Sequence, residues 1–331
     1  MAVPIILGVI AGGTALYGAF KGVSGAIDHS KASDINDDAK TMADKASTRV
    51  ETQRKFTNAV LEDYGTRKLR AFNGVIADFI ATFGRLKNID VINTPELDKL
   101  NLGDFSSVGL RGLKDDYALL KSSGLGLGSG LGGGAALAFG AYNGTMLLAT
   151  ASTGTAISSL GGVAATNATL AWLGGGSIAA GGGGMALGTM VLGAVAIGPA
   201  LAIFGHIVGN KGEEALNNAR SNLEMARTVR DQAEIMFRKL EAIARVSGLA
   251  NSTFSKVSSQ LRHAVRDLGH VIESHGENYQ LFPSEAREVV MRSVKFAQLL
   301  KAMIDTPILD KDGNLVLSTE KRIGEIATLA P

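Results

Sequence analysis

The chain has 331 residues, of which 33 are basic and 31 acidic, 46% are hydrophobic and none is cysteine. The hydrophobic share excludes a disordered chain, and the lack of thiols excludes disulfide scaffolds and thiolate metal or redox sites. A formal net charge of +2 predicts no strong field, which argues against nucleic acid as a partner. The charges are unevenly placed: from Ser122 to Asn210 there is no Asp, Glu, Lys or Arg, and more than half of the 42 glycines lie in that block. With only six prolines and 5% aromatics, Ala and Leu favour helix over sheet.

Along the chain, residues 1–27 form an apolar N-terminal segment whose first 20 residues carry no charged side chain. About 20 apolar residues are needed to span a bilayer, so the segment is marginal as a span. Gly8/Gly12 and Gly18/Gly22 suit close helix packing, in lipid or against the body of the protein. No basic residue precedes the apolar core, so no cleavable signal peptide is expected.

Residues 28–121 are the first part of a helical body. Leu69, Phe72, Ile76, Phe79, Phe83 and Leu86 recur in steps of three and four, as a seam against another helix requires. Asn93-Thr94-Pro95 breaks the pattern, and Thr94 is placed to cap a short helix starting at Pro95. A further short helix is predicted over Gly109 to Lys121.

Residues 122–210 form a glycine-rich hairpin insert. A helix of that length would far exceed a bilayer core about 30 Å thick, so the block must fold back on itself. Glycine clusters divide it into candidate helices near 135–151, 154–173 and 183–208. The last is the most hydrophobic, with Leu187, Val191, Leu192, Val195, Ile197, Leu201, Ile203 and Phe204 as candidate membrane-inserting residues. Small residues at spacing four favour helix-on-helix packing, with Gly140, Gly144, Gly154, Gly162, Gly184, Gly188, Gly198, Gly205 and Gly209 as candidates. His206 is the one histidine of the block, the side-chain type whose charge ordinarily changes near neutral pH. It reads as a pH gate that opposes insertion when protonated, or as a hydrogen-bonded packing residue.

Residues 211–331 return to the polar helical pattern. Leu216, Ala219, Leu223, Ala226, Ala233, Phe237 and Leu240 lie on heptad steps, with Arg230 as an intruder. Gly248 to Ser252 reads as a break. Phe254, Val257, Leu261, Val265, Leu268 and Ile272 then mark another helix, ended by Gly276 and Asn278. Ser284 is placed to cap a helix reaching about Ile304, Asp312-Gly313 predicts a tight turn, and a last helix covers Thr319 to Leu329.

Motifs for chemistry are weak. Gly128-x-Gly130-x-x-Gly133 follows no strand and lacks the acidic residue a dinucleotide site needs. Asp310-Lys311-Asp312-Gly313-Asn314 departs from the calcium-loop frame at Leu315 and Lys321, so a hairpin turn is the better reading. His263, His270 and Glu273 share a helix face but fall short of a four-ligand zinc site. No catalytic arrangement, cofactor motif or small-molecule substrate site is visible, and the chain does not read as an enzyme.

The stretch from Thr150 to Thr189 resembles a segment of bacterial proteins of unassigned function, which share the flanking charged helices and a tail like Asp305 to Val316. In architecture the chain resembles α-helical pore-forming proteins of the cytolysin A and apolipoprotein L groups, which implies a helical body carrying an apolar hairpin. The expected fold is therefore all-α: an elongated antiparallel bundle with the Gly/Ala-rich hairpin as an insert and a small β-turn near the C-terminus. The expected function is insertion into a lipid bilayer, with homo-oligomerisation into a pore, in toxin delivery, defence or membrane remodelling. Such a protein would be cytoplasmic as made and membrane-associated when active. Two other readings fit the same pattern. One is a permanently membrane-anchored coiled-coil interaction protein; the other is a soluble structural protein whose subunits bury the block mutually.

Overall fold

The computed structural model describes residues 28–89, 91–92, 94–100, 102, 105–122, 136, 139–141, 212–310 and 313–330. The expectations for residues 1–27 and for candidate helices 154–173 and 183–208 lie outside the described residues. The described chain is all-α, being 87% helical. Its elements are α1 (Asp28–Ala71), a π-helical turn (Phe72–Ile76), α2 (Ala77–Phe83), β1 (Val91–Ile92) and a 3-10 turn (Pro95–Leu100). There follow β2 (Phe105–Ser106), α3 (Ser107–Ser122), α4 (Gly212–His275), a 3-10 turn (Tyr279–Leu281), α5 (Ser284–Asp305) and α6 (Leu317–Leu329). The two strands pair antiparallel, Val91 opposite Ser106 and Ile92 opposite Phe105.

The chain divides into two compact units, one of Met1–Thr57 and Ala194–Ala242, the other of Asn58–Gly193 and Ile243–Pro331. In the first, Val50 of α1 packs with Ala233 and Leu240 of α4, flanked by Ala46 and Met236. Three polar contacts give the direction of pairing. Asn222 donates to Asn36 at 3.0 Å, Arg49 meets Glu234 at 2.6 Å, and the Thr57 hydroxyl donates to the Leu240 carbonyl at 3.1 Å. The partners ascend together, so α1 and α4 run parallel here, where the sequence led us to expect antiparallel pairing. A heptad seam fixes which face is buried and is silent on direction. A polar Asn pair in the seam fixes register. The intruder at position 230 is also resolved: Arg230 is exposed and Val229 takes the buried place. A straight helix drifts against a strict seven-residue repeat in this way.

In the second unit the order is again ascending. Asn251 bonds Asp63, Arg67 donates to Ser255 at 3.2 Å, and the Lys87 amide donates to the Glu277 carbonyl at 2.7 Å. The predicted seam residues Leu69, Phe72, Ile76, Phe79, Phe83 and Leu86 are buried, as are Phe254, Val257, Leu261, Val265, Leu268 and Ile272. Burial of such side chains contributes about 1.5–3 kcal/mol each.

Two local expectations are corrected. The predicted break at Gly248–Ser252 is absent, and α4 is continuous over 64 residues. A glycine costs a helix only about 1 kcal/mol, and the fully buried Val246 and Ala250 on either side outweigh it. Ser247 and Ser252 turn their hydroxyls onto the helix's own carbonyls at Ile243 and Leu249. Ser284 is the first residue of α5, and Pro283 occupies the cap without a side-chain bond. The short helix expected from Pro95 is present as a 3-10 helix, Pro95–Leu100, and the Thr94 hydroxyl before it donates to Gln298 at 3.0 Å. Of the turn expected at Asp312-Gly313, Gly313 is described: it has φ of +76° and donates to the Asp310 carbonyl, while Leu309 faces Leu315 across an antiparallel bridge.

Candidate functional site: a buried lysine beneath the uncharged block

Five residues of the uncharged block are described: Ser122, which ends α3, and Ala136, Phe139, Gly140 and Ala141. The last four are helical and buried within the second unit. Ala136, Phe139 and Gly140 meet one face formed by Leu61, Gly65 and Lys68 of α1 and Phe72 of the π-helical turn, at steps of four, three and four. The crossing is close enough to exclude side chains. A Cβ on Gly65 would stand 1.7 Å from the Ala136 carbonyl oxygen, and one on Gly140 would stand 1.9 Å from that of Leu61. Only glycine fits at both positions, because no backbone atom can yield by so much.

One turn beyond Gly65, Lys68 is fully buried. Its amine donates to the Phe139 carbonyl at 3.2 Å and to the Ile304 carbonyl at 3.3 Å. It also lies 4.4 Å from the centre of the Tyr64 ring and 5.7 Å from that of Phe139. The Tyr64 hydroxyl donates to the Met303 carbonyl at 3.1 Å, and its ring meets Phe254 edge-on. Met303 and Ile304 belong to the last turn of α5, where carbonyls have no partner further along the helix. Tyr64 and Lys68 supply those partners, and a cation is favoured at this negative end of the helix dipole.

The electrostatics are finely set. Burial pushes the Lys68 pKa down to about 7, against the pull of Asp305, which favours the charged form. Burial alone holds the Tyr64 phenol well above its ordinary range. Asp305 is also held by Lys301 at 2.6 Å, and Lys301 reaches Asp116 of α3 at 2.9 Å. Burial pulls the Lys301 pKa down, but these two carboxylates outweigh it and leave the pKa raised. The C-terminal tail completes the junction, since the amides of Ile308 and Leu309 both donate to the Ala141 carbonyl, at 2.8 and 2.9 Å.

Of the residues singled out in the sequence, Gly140 stands at this crossing. Leu187, Val191, Leu192, Val195, Ile197, Leu201, Ile203, Phe204, His206 and the glycines at 144, 154, 162, 184, 188, 198, 205 and 209 lie outside the described residues. His270 comes within 3.6 Å of Glu273, both exposed. Among the described residues no group of three or more His, Cys, Asp or Glu could hold a metal ion. The sequence reading passed over Gly65 and Lys68. The signal was there in Leu61, Gly65, Lys68 and Phe72, a helical stripe with a lysine in an apolar position. Comparison with protein-family models, curated proteins and solved structures finds no match to the chain.

Proposed function

We propose that this chain is a membrane-inserting helical protein that forms an oligomeric pore, and that its uncharged block is sheltered on a helical body until it is released. The single observation that carries the reading is the burial of Ala136, Phe139, Gly140 and Ala141 against α1 through a glycine-to-glycine crossing. A block of 89 residues without a charge needs cover from water, and this contact is cover provided by the chain itself. Among the described residues the contact relies on close backbone approach, with Phe139 as the one large side chain that the block contributes. Among the described residues no helix is long and apolar enough to cross a membrane. The inserting elements of this reading are the candidate helices near 135–151 and 183–208, in a hairpin whose segment 154–173 forms the tip or lines the lumen.

Dye-loaded liposomes test the proposal. The purified chain is expected to release dye, and Ile197→Asp to abolish release while leaving the circular dichroism of the helical body unchanged. Tight binding to the vesicles with full dye retention would sink the pore and leave a membrane-anchored interaction protein. Large lipid-free particles that fail to float with liposomes would point to a self-assembling structural protein.

A further inference from the structure

We propose that the outer face of α4 in the second unit is a docking surface for an anionic lipid bilayer, with Arg70, Lys256, Arg262 and Arg266 as its cations. The choice of a bilayer as occupant rests on the membrane reading above. From Ala242 to Arg266, α4 carries no Asp or Glu. The earlier part of the same helix is built otherwise: Glu224 pairs with Arg227, Asp231 with Arg230 and Glu234 with Arg238. Such alternation of sign is what a solvated helix face ordinarily shows. Past Ala242 it stops. Arg245 is taken by Glu320 of α6 at 2.5 Å, but Lys256, Arg262 and Arg266 are exposed, and their side chains make no ion pair or hydrogen bond among the described residues. Lys256, Ser259, His263, Arg266 and His270 follow one another at steps of three and four, all exposed, in a line about 21 Å long. Arg262 stands beside that line. Arg70 of α1 is exposed one turn beyond Arg67, which donates to Ser255 of α4, so it joins the same outer side.

The carboxylates around this face are mostly spent elsewhere. Asp267 of α4 pairs with Arg292 of α5 at 2.6 Å, and Asp63 of α1 pairs with Arg67 at 3.0 Å. Glu273 lies 3.6 Å from His270 and closes the far end of the line. Asp78 of α2 is exposed near the level of Arg266, by the register that sets Asp63 beside Asn251 and Lys87 beside Glu277, and it makes no ion pair. One such carboxylate against four cations leaves a positive surplus. The face is also free of apolar anchors: no large hydrophobic side chain is exposed on α4 from Ala242 to His275. A protein partner needs such anchors at the centre of an interface. A net charge of +2 gives no long-range field for nucleic acid. A bilayer needs only headgroup charge, and the short Ser252 and Ser259 among the long cations let a flat surface approach. Cations at a bilayer surface keep most of their water, and each adds about fivefold to binding of an anionic leaflet.

Flotation of the full chain at neutral pH tests the surface, with phosphatidylcholine vesicles containing about 30% phosphatidylserine set against pure phosphatidylcholine. In about 0.05 M salt the chain is expected to bind the anionic vesicles in clear preference to the neutral ones, and in about 0.5 M salt to bind them about tenfold more weakly, because the charges are then screened. Lys256→Gln with Arg262→Gln and Arg266→Gln should weaken binding about a hundredfold. Arg227→Gln with Arg230→Gln and Arg238→Gln removes the same charge from the first unit, where carboxylates already cancel it, and should keep the affinity within about threefold. All six side chains are exposed, so neither set disturbs a core. Equal binding to both vesicles, unaltered binding by the first set, or equal loss in the two sets would overturn the surface. So would tighter binding to a duplex DNA or single-stranded RNA oligonucleotide than to the anionic vesicles. Ile197→Asp should leave this binding intact. Binding to anionic vesicles without dye release would sink the pore and leave the surface standing, and dye release with no preference for phosphatidylserine would do the reverse.

Discussion

The Ile304 carbonyl oxygen lies 3.3 Å from the Lys68 amine. That contact joins the C-terminal end of α5 to the last turn of α1, and on its other side the same amine reaches Phe139 of the uncharged block. Two features that look unrelated in the sequence, a charge-free glycine-rich stretch and a tail running from Asp305 to Val316, are thereby brought to one place. The tail contributes Asp305, which favours the charged amine, and the Ile308 and Leu309 amides, which bond Ala141. A lysine is suited to this place because its long apolar stem fills the seam while its amine reaches carbonyls at the far edge.

The stability of the protein is expected to depend on pH through the same group. The folded pKa of Lys68, about 7, lies below its unfolded value of 10.5. The unfolded state therefore binds more protons between these values, and stability rises with pH across that window. The contribution is complete above pH 10.5 and is lost as pH falls through about 7. Urea titrations should show a gain of about 2 kcal/mol between about pH 7.5 and about pH 9. In Lys68→Met the gain should vanish. An equal gain in both proteins would place its origin elsewhere.

Tyr64→Phe isolates the neighbouring hydrogen bond. The substitution keeps the ring against Phe254 and removes the hydroxyl that the Met303 carbonyl accepts from. The carbonyl is left buried at a helix end without that donor, which costs about 1–3 kcal/mol. Chemical denaturation at neutral pH measures it. No loss of stability would show that water replaces the hydroxyl.

The parallel pairing of α1 with α4 can be tested by cross-linking, since the chain has no cysteine of its own. Arg49→Cys with Glu234→Cys should join rapidly through a short bis-maleimide, because these residues are in contact across the first unit. Arg49→Cys with Arg220→Cys should not join. Position 220 lies next to Asn222, which pairs with Asn36, nearly four helical turns before Arg49. The reverse pattern would restore antiparallel pairing.

The seams ending in Leu86 and Ile272 were legible because burial imposes a period of three and four on apolar residues, and every member of both is buried. Direction was not legible. A seam reads the same from either end, and it is polar partners such as Asn36, Arg49, Asp63 and Lys87 that reveal which way α4 runs. Gly248 looked like a break because propensity is local, whereas the burial of Val246 and Ala250 is a tertiary effect. Lys68 was passed over because a lysine ordinarily marks a solvated face. Its neighbours Leu61, Gly65 and Phe72 argued otherwise.

The glycines separate packing from propensity most sharply. Gly74, Gly112, Gly248 and Gly269 have nothing within 4 Å of a built Cβ. Replacing Gly248 or Gly269 by alanine in the regular helix α4 should stabilise the protein by about 0.4–1 kcal/mol, through better helix propensity and a less flexible unfolded chain. Gly276→Ala should instead destabilise by about 1 kcal/mol, because its φ of +79° disfavours any side chain. Gly65→Ala and Gly140→Ala face a different obstacle. Their new methyl groups would overlap the backbone of the opposing segment, and a carbonyl cannot swing away as a side-chain tip can. Each is expected to cost about 1–3 kcal/mol, as overpacked sites do, and to force the two segments apart. The Ile308 and Leu309 amides would then lose protection from hydrogen exchange while α4 retains its own. Combining Gly65→Ala with Gly140→Ala should cost less than the two added together, because one separation relieves both overlaps. Full additivity would mean that the two glycines do not share a single crossing.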